Sequence, residues 1–229
     1  VSREWPTDER LAARARVHAA LGEPARLAIV EELVTSDRSP TELGLRLGIQ
    51  SNLLAHHLEV LEHAGLIARS PSAGDGRRKY VRLVRATAAA FGVTGHVAAG
   101  EMLFVCTHNS ARSQLAAALW TARTGGRAGS AGTRPAERVH RGAVAAARRA
   151  GFSLDDATPS ELVAVPSGVQ VVTVCDLVHE ELDAADEWWH WSIADPVVRG
   201  DAAAFDAVVV ELEERITSVV GTNDGGDAR

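Results

Sequence analysis

The sequence predicts an α/β chain in two parts: an N-terminal winged helix-turn-helix domain at residues 1–95 and a C-terminal parallel-sheet domain at residues 101–220. Three observations carry this expectation. The first part holds a capping box, an amphipathic helix and an arginine-rich hairpin. In the second, strands alternate with helices, which argues for a parallel sheet flanked by helices. Charge also divides unevenly: residues 1–95 carry 13 Lys and Arg against 11 Asp and Glu, whereas residues 96–229 carry 11 against 19.

Helices are expected over residues 9–21 and 24–35, the second opening with Glu23-Pro24. Ser39-Pro40-Thr41-Glu42 is a capping box with proline at the first helical position, so a short helix should run from there to about Leu47 and stop at Gly48. A helix from about Gln50 to His63 places Leu54, Leu58 and Leu61 on one face. Strands follow at 66–69 and 77–84, joined by a turn rich in Ser, Pro and Gly and tipped by Arg77-Arg78-Lys79. Residues 86–100 are small and glycine-punctuated, as in a linker or a last weak helix. Beyond them, strands are expected at 102–105, 128–130, 169–174 and 189–193, and helices at 110–124, 140–150 and 202–219. The tail 221–229 is expected to fray.

Composition narrows the function classes. With 46% hydrophobic and 24% charged residues the chain is neither a disordered tail nor a collagen nor a disulfide scaffold. It has no run of ~18 apolar residues, as a membrane span needs, and its first residues are polar. A cytoplasmic protein without membrane contact is expected. Two cysteines, Cys106 and Cys175, are too few for a four-thiolate zinc site and read as reactive thiols; no metal site is expected.

A helix preceded by a turn can enter the major groove while a basic hairpin touches phosphate. Gln50, Ser51, Asn52 and His56 are the candidate DNA-reading residues of the helix, with Arg77, Arg78 and Lys79 on the hairpin. The run from Leu47 to Leu58 with His56-His57-Leu58, then Ala64-Gly65-Leu66-Ile67 and the basic hairpin, resembles the arsenic-repressor (ArsR/SmtB-type) winged-helix family over about residues 9–85. The resemblance implies a homodimer on a two-fold operator. It does not extend to the paired-cysteine metalloid site of that family, since residues 1–100 contain no cysteine.

In the second part, a strand ends at Cys106-Thr107-His108-Asn109-Ser110-Ala111-Arg112-Ser113 and a helix follows. Such a loop can aim backbone N–H groups at one tetrahedral anion, and the planar fork of Arg112 suits two of its oxygens. Together with Ser130-Ala131-Gly132-Thr133 and Asp195-Pro196, this region resembles the low-molecular-weight tyrosine phosphatase family, especially its arsenate reductase branch, over about residues 102–219. That resemblance implies Cys106 as nucleophile, Arg112 as oxyanion clamp and Asp195 as general acid. Asn109 would organise a loop of Thr107, His108, Asn109, Ser110 and Ala111, and Ser113 would donate to the thiolate. Cys175 matches the resolving cysteine of the reductases, which attacks the cysteine–arsenic adduct and leaves a disulfide. A third cysteine, which the thioredoxin-coupled branch carries, is missing, and Val197-Val198 stand where phosphatases usually place aromatics.

The implied function is an arsenic-resistance regulator fused to a thiol-dependent arsenate reductase. Its partners would be operator DNA, arsenate or phosphate, and an external reductant such as thioredoxin or mycothiol; no tightly bound cofactor is expected. Two alternatives stand beside it: a DNA-binding regulator whose Cys106 loop senses an oxyanion without turnover, and a tyrosine phosphatase-like hydrolase. Trp188, Trp189, Trp191 and His190 are expected to be core packing, and His179 is expected at the surface.

Overall fold

The computed structural model describes residues 8–95, 100–182 and 187–220. It opens with helices α1 (Glu9–Leu21), α2 (Pro24–Thr35), α3 (Pro40–Leu47) and α4 (Ser51–His63). The hairpin β1 (Ile67–Pro71) and β2 (Lys79–Leu83) follows, then a short helix α5 (Arg85–Ala90). Capping chemistry sets the start of α3: Ser39 Oγ accepts from the Glu42 N–H at 3.3 Å, and Glu42 Oε2 accepts from the Ser39 N–H at 2.6 Å. Leu54, Leu58 and Leu61 form the buried face of α4 and pack with Ile29, Val30, Leu33 and Val81 into one core.

The remainder is β3 (Met102–Cys106), α6 (Arg112–Thr124), β4 (Ala128–Gly132), α7 (Arg141–Arg149), β5 (Gln170–Thr173), α8 (Asp176–Glu181), β6 (Trp189–His190), α9 (Pro196–Arg199) and α10 (Ala202–Val220). Four parallel strands make one sheet in the order β4-β3-β5-β6. Phe104, Val105, Val171 and Val172 pack with Leu115, Leu119 and Trp120 of α6 and with Phe205, Val208 and Leu212 of α10, a second core. Because the chain leaves β3 toward β4 and later returns to add β5 on the other side, the carboxyl ends of β3 and β5 form a topological switch point, the place where open α/β sheets bind ligands.

The two cores meet along a polar seam. Asp37 and Arg215 are fully buried there and joined at 2.8 Å. Trp191 Nε1 donates to Thr35 O at 2.8 Å, the Asp37 N–H donates to His190 O at 2.7 Å, and the His190 N–H donates to Ser36 Oγ at 2.8 Å. The seam explains one departure from expectation. A strand was expected over 189–193, yet β6 ends at His190. Trp191 N–H still reaches Thr173 O, but the next N–H, of Ser192, turns to Asp37 Oδ2 at 2.8 Å and leaves the sheet. Helices α8 and α9 are too short to carry a helical period and were not anticipated. Residues 96–99 of the expected linker and the tail 221–229 lie outside the described residues. Among those described, no helix is long and apolar enough to cross a membrane.

Candidate functional site

Cys106 ends β3 and α6 begins at Arg112, so the intervening residues wrap around the first turn of the helix. The carbonyls of Cys106, Thr107, His108 and Ser110 accept the N–H groups of Thr133, Arg134, Ala136 and His140 at 2.8–3.3 Å. These bonds hold the loop carbonyls on the 133–140 segment, while the Asn109 N–H turns inward to Cys106 Sγ. The N-cap residue Ala111 supplies no side-chain bond to the helix start, which leaves the first-turn N–H groups and the positive end of the helix dipole for an anion.

Asn109 stands at φ 46°, the left-handed region, where asparagine is among the residues best tolerated. Its side chain fixes that turn: Nδ2 donates to Ser113 Oγ at 2.8 Å, and Oδ1 accepts from Gln114 Nε2 at 3.0 Å and from the Ser160 N–H at 2.8 Å. Cys106 Sγ accepts the Asn109 N–H at 3.2 Å and lies 3.0 Å from Ser113 Oγ. Asn109 thus holds both groups that touch the sulfur, directly or through Ser113. Arg112 is buried, donating through Nη1 to Ile193 O at 3.0 Å and through Nη2 to Asp195 Oδ2 at 2.8 Å. Asp195 Oδ1 accepts the Val197 N–H at 3.0 Å, so the carboxylate is fixed at the start of α9 while paired with the arginine. Thr107 and Ala111 are buried, Ser110 is half-buried and His108 is exposed.

Gly132 brings the second loop against the first. A Cβ there would lie 2.7 Å from Thr107 O and 3.0 Å from Asn109 N, both backbone atoms that cannot swing aside. Gly132→Ala is therefore expected to push the Cys106 loop out of shape and to weaken phosphate binding by roughly tenfold or more, a loss of ~1.4 kcal/mol readable by calorimetry. Unchanged affinity would show that the loop tolerates the shift.

Cys175 is also buried, with Sγ 3.4 Å from Thr107 Oγ1. Val105 is in register with Thr173, and the ladder continues through the Val174 N–H to Val105 O at 2.8 Å. Cys106 is therefore opposite Val174, and Cys175 is opposite Thr107. Their α carbons are about 6 Å apart by strand spacing, within reach of a disulfide. The two sulfurs have separate partners: Cys175 Sγ meets Thr107 Oγ1, whereas Cys106 Sγ meets the Asn109 N–H and Ser113 Oγ.

Sequence reasoning missed a polar cluster beneath Cys175. His179 and His190 stack with ring centroids 4.1 Å apart, and both present Nδ1 to Thr173 Oγ1, at 3.1 and 2.9 Å. Nε2 of His179 faces Glu42 Oε1 at 3.2 Å and Nε2 of His190 faces Asp176 Oδ1 at 3.0 Å. The expectation that His179 is exposed is corrected: it is 5% exposed, because α3 and the hairpin cover α8. Burial would raise the Glu42 carboxyl, but hydrogen bonds from His179 and Ser39 outweigh it and hold the group at about 2. Burial pushes His190 below its ordinary value despite its bond to Asp176, favouring a neutral ring.

The residues expected to read DNA are all exposed. Gln50 is the N-cap of α4, Ser51 and Asn52 form its first turn, and His56 lies one turn beyond Asn52 on the same side. Arg77 pairs with Asp75 at 3.3 Å, and Arg78 lies 3.9 Å from Glu180 of α8. Among the described residues no group of three or more His, Cys, Asp or Glu side chains is arranged to hold a metal ion.

Cys106 and Arg112 thus bracket a loop at the carboxyl edge of a parallel sheet, at the topological switch point where open α/β sheets place their ligands. The sequence matches the low molecular weight phosphotyrosine protein phosphatase family over residues 101–223, more than half of its length, and the chain belongs to that family. No curated protein matches it. Solved structures similar to it include a tyrosine phosphatase of Erwinia amylovora, 23% identical over 54% of this chain and 92% of that one (TM-score 0.46). An arsenate reductase from Archaeoglobus fulgidus is 31% identical over 52% of this chain and 98% of that one (TM-score 0.44). A thioredoxin-dependent arsenate reductase of Corynebacterium glutamicum is 24% identical over 58% of this chain and 66% of that one (TM-score 0.41).

Proposed function

We propose that residues 101–220 reduce arsenate to arsenite and that residues 1–95 form a winged helix-turn-helix that reads operator DNA as a homodimer. The observation that carries the reductase reading is a second buried thiol, Cys175, at the edge of the Cys106 loop. Hydrolysis through a phosphocysteine needs one thiol, whereas reduction of arsenate consumes two. Val197 and Val198, 43% and 85% exposed beside Asp195, offer no aromatic wall to a phenol ring.

In this mechanism Cys106 Sγ attacks arsenic while Arg112 and the loop amides hold the oxygens, and Asp195 protonates the oxygen that leaves as water. Cys175 then attacks Cys106 Sγ. The sulfur–arsenic bond pair passes to arsenic, arsenite departs, and a Cys106–Cys175 disulfide remains. Overall two thiols and arsenate give one disulfide, arsenite and water. An external thiol system such as thioredoxin or mycothiol restores the pair. For the DNA half, support comes from the exposed N-terminal turn of α4 and from Arg77 and Lys79, both exposed on the hairpin.

Multiple-turnover arsenite formation from arsenate and a thiol system is the test. Asp195→Asn is expected to lower kcat by roughly 10²- to 10³-fold at neutral pH, the usual contribution of a positioned acid. Hydrolysis of an aryl phosphate without arsenite formation would replace the reductase with a phosphatase. Arsenate binding that alters DNA affinity without turnover would replace it with a sensor.

A further inference from the structure

The hairpin expected to touch DNA is engaged with the oxyanion-site half of the molecule. Its turn lies on α8, the six-residue helix whose N-cap is Cys175. The Ala73 N–H donates to Asp176 Oδ2 at 2.8 Å, next in sequence to the cysteine. One turn on, Glu180 accepts from Ser72 Oγ at 2.7 Å, from the Asp75 N–H at 2.9 Å and from the Tyr80 hydroxyl at 3.1 Å. Gly74 makes the approach possible, since a Cβ there would lie 3.3 Å from Leu177 Cα and 2.6 Å from Glu180 Oε2.

We propose that the β1–β2 hairpin clamps the helix that Cys175 caps, so that joining Cys175 to Cys106 and releasing the hairpin are one linked equilibrium. The inference rests on reading Cys175 as the thiol that resolves Cys106. Its physical basis is that each sulfur is already engaged: Cys175 Sγ lies 3.4 Å from Thr107 Oγ1, while Cys106 Sγ accepts the Asn109 N–H at 3.2 Å and lies 3.0 Å from Ser113 Oγ, so a bond of ~2.05 Å between them requires residue 175, the N-cap of α8, to move. Asp176 is the next residue and cannot stay in place. It loses Ala73 and His190 together, and with so short a helix Glu180 is displaced too. Reciprocity follows: a partner that draws the hairpin away, such as a DNA backbone, favours the disulfide, and the hairpin on α8 favours the dithiol.

Deuterium exchange at the Ala73 and Asp75 amides of the full chain tests this in the reduced protein and in protein oxidised by arsenate or, separately, by diamide. Diamide takes two hydrogens from a dithiol without any oxyanion. Loss of two hydrogens by intact mass together with exchange at both amides accelerated ~10-fold or more is expected. Unchanged exchange in protein carrying the disulfide overturns the clamp. If diamide forms the disulfide and arsenate does not, the reductase reading fails while the clamp is still decided by the exchange. If neither oxidant joins the thiols, the clamp fails too, since it requires that Cys175 reach Cys106. A second measurement uses the dithiol side alone: in Cys106→Ser protein, iodoacetamide should alkylate Cys175 ~10-fold faster when Glu180→Gln or Gly74→Val loosens the hairpin. Equal rates in folded variants overturn the proposal.

Discussion

Cys106→Ser is expected to bring arsenite formation to background, a loss of roughly 10⁴-fold or more, because a hydroxyl is a far poorer nucleophile than the thiol it replaces at neutral pH. The same variant should still bind phosphate within a few-fold of the parent chain. The amides of the loop, the Asn109 brace and Arg112 do not depend on the sulfur: Asn109 is held by Ser113, Gln114 and Ser160, and Arg112 by Ile193 and Asp195. Rate and affinity therefore separate, and calorimetry beside an arsenite assay reads both. Cys175→Ser should behave differently. It leaves attack by Cys106 intact and removes only the internal disulfide, so arsenite formation should persist when a small thiol is supplied and vanish under reductants that act on a protein disulfide. Equal loss of phosphate binding and turnover in Cys106→Ser would mean that the sulfur is structural, and the nucleophile would have to be sought elsewhere.

Local chemistry was legible in the sequence and contact between distant segments was not. The capping box at Ser39 and Glu42 forms with both bonds in place, because its partners lie within one helical turn. The strand before Cys106 and the helix from Arg112 were legible for the same reason, since each is set by its own local pattern. Yet the same Glu42 that caps α3 also meets His179, far along the chain, through its other oxygen. Nothing in the polar run Asp176-Leu177-Val178-His179-Glu180-Glu181 signals that another segment will cover it, so an exposed histidine was the natural reading. The Ser-Pro-Gly-rich turn at 70–76 was read correctly as a hairpin. Its donors, however, are spent on Asp176 and Glu180, a partner choice set by tertiary packing. The contact of Cys175 with Thr107 is of the same kind: strand ends can be read from periodicity, but register between strands is set by the sheet.

The seam gives the largest expected effect on stability. Asp37→Ala should destabilise the fold by about 3–5 kcal/mol, since removing one member of a buried pair leaves the other charge uncompensated. Among the described residues Arg215 would keep Glu211, at 2.9 Å, as a less buried carboxylate partner that compensates it in part, and the Ser192 N–H would lose its acceptor. Asp37→Leu combined with Arg215→Met should recover much of the loss, because an apolar pair avoids the desolvation cost that the ion pair bears. Acid exposes the same interaction. Burial would raise the Asp37 carboxyl, but Arg215 outweighs it and holds the group below its ordinary 3.8. A depressed folded-state value means that this contribution is complete above about pH 4 and is lost as pH falls through the folded value. Glu42, held at about 2 against an ordinary 4.5, acts in the same direction over that interval. His190 begins the decline earlier: below its ordinary 6.5 the unfolded chain takes up a proton that the buried ring refuses, so stability falls with pH from there. Urea unfolding at pH 7, 5 and 3 should show a progressive loss in the parent chain. In Asp37→Asn the starting stability should be lower and the slope below pH 4 shallower. A parallel pair of curves would mean that Asp37 keeps its proton state on unfolding, and the seam would then owe its stability to Trp191 and the backbone bonds around His190.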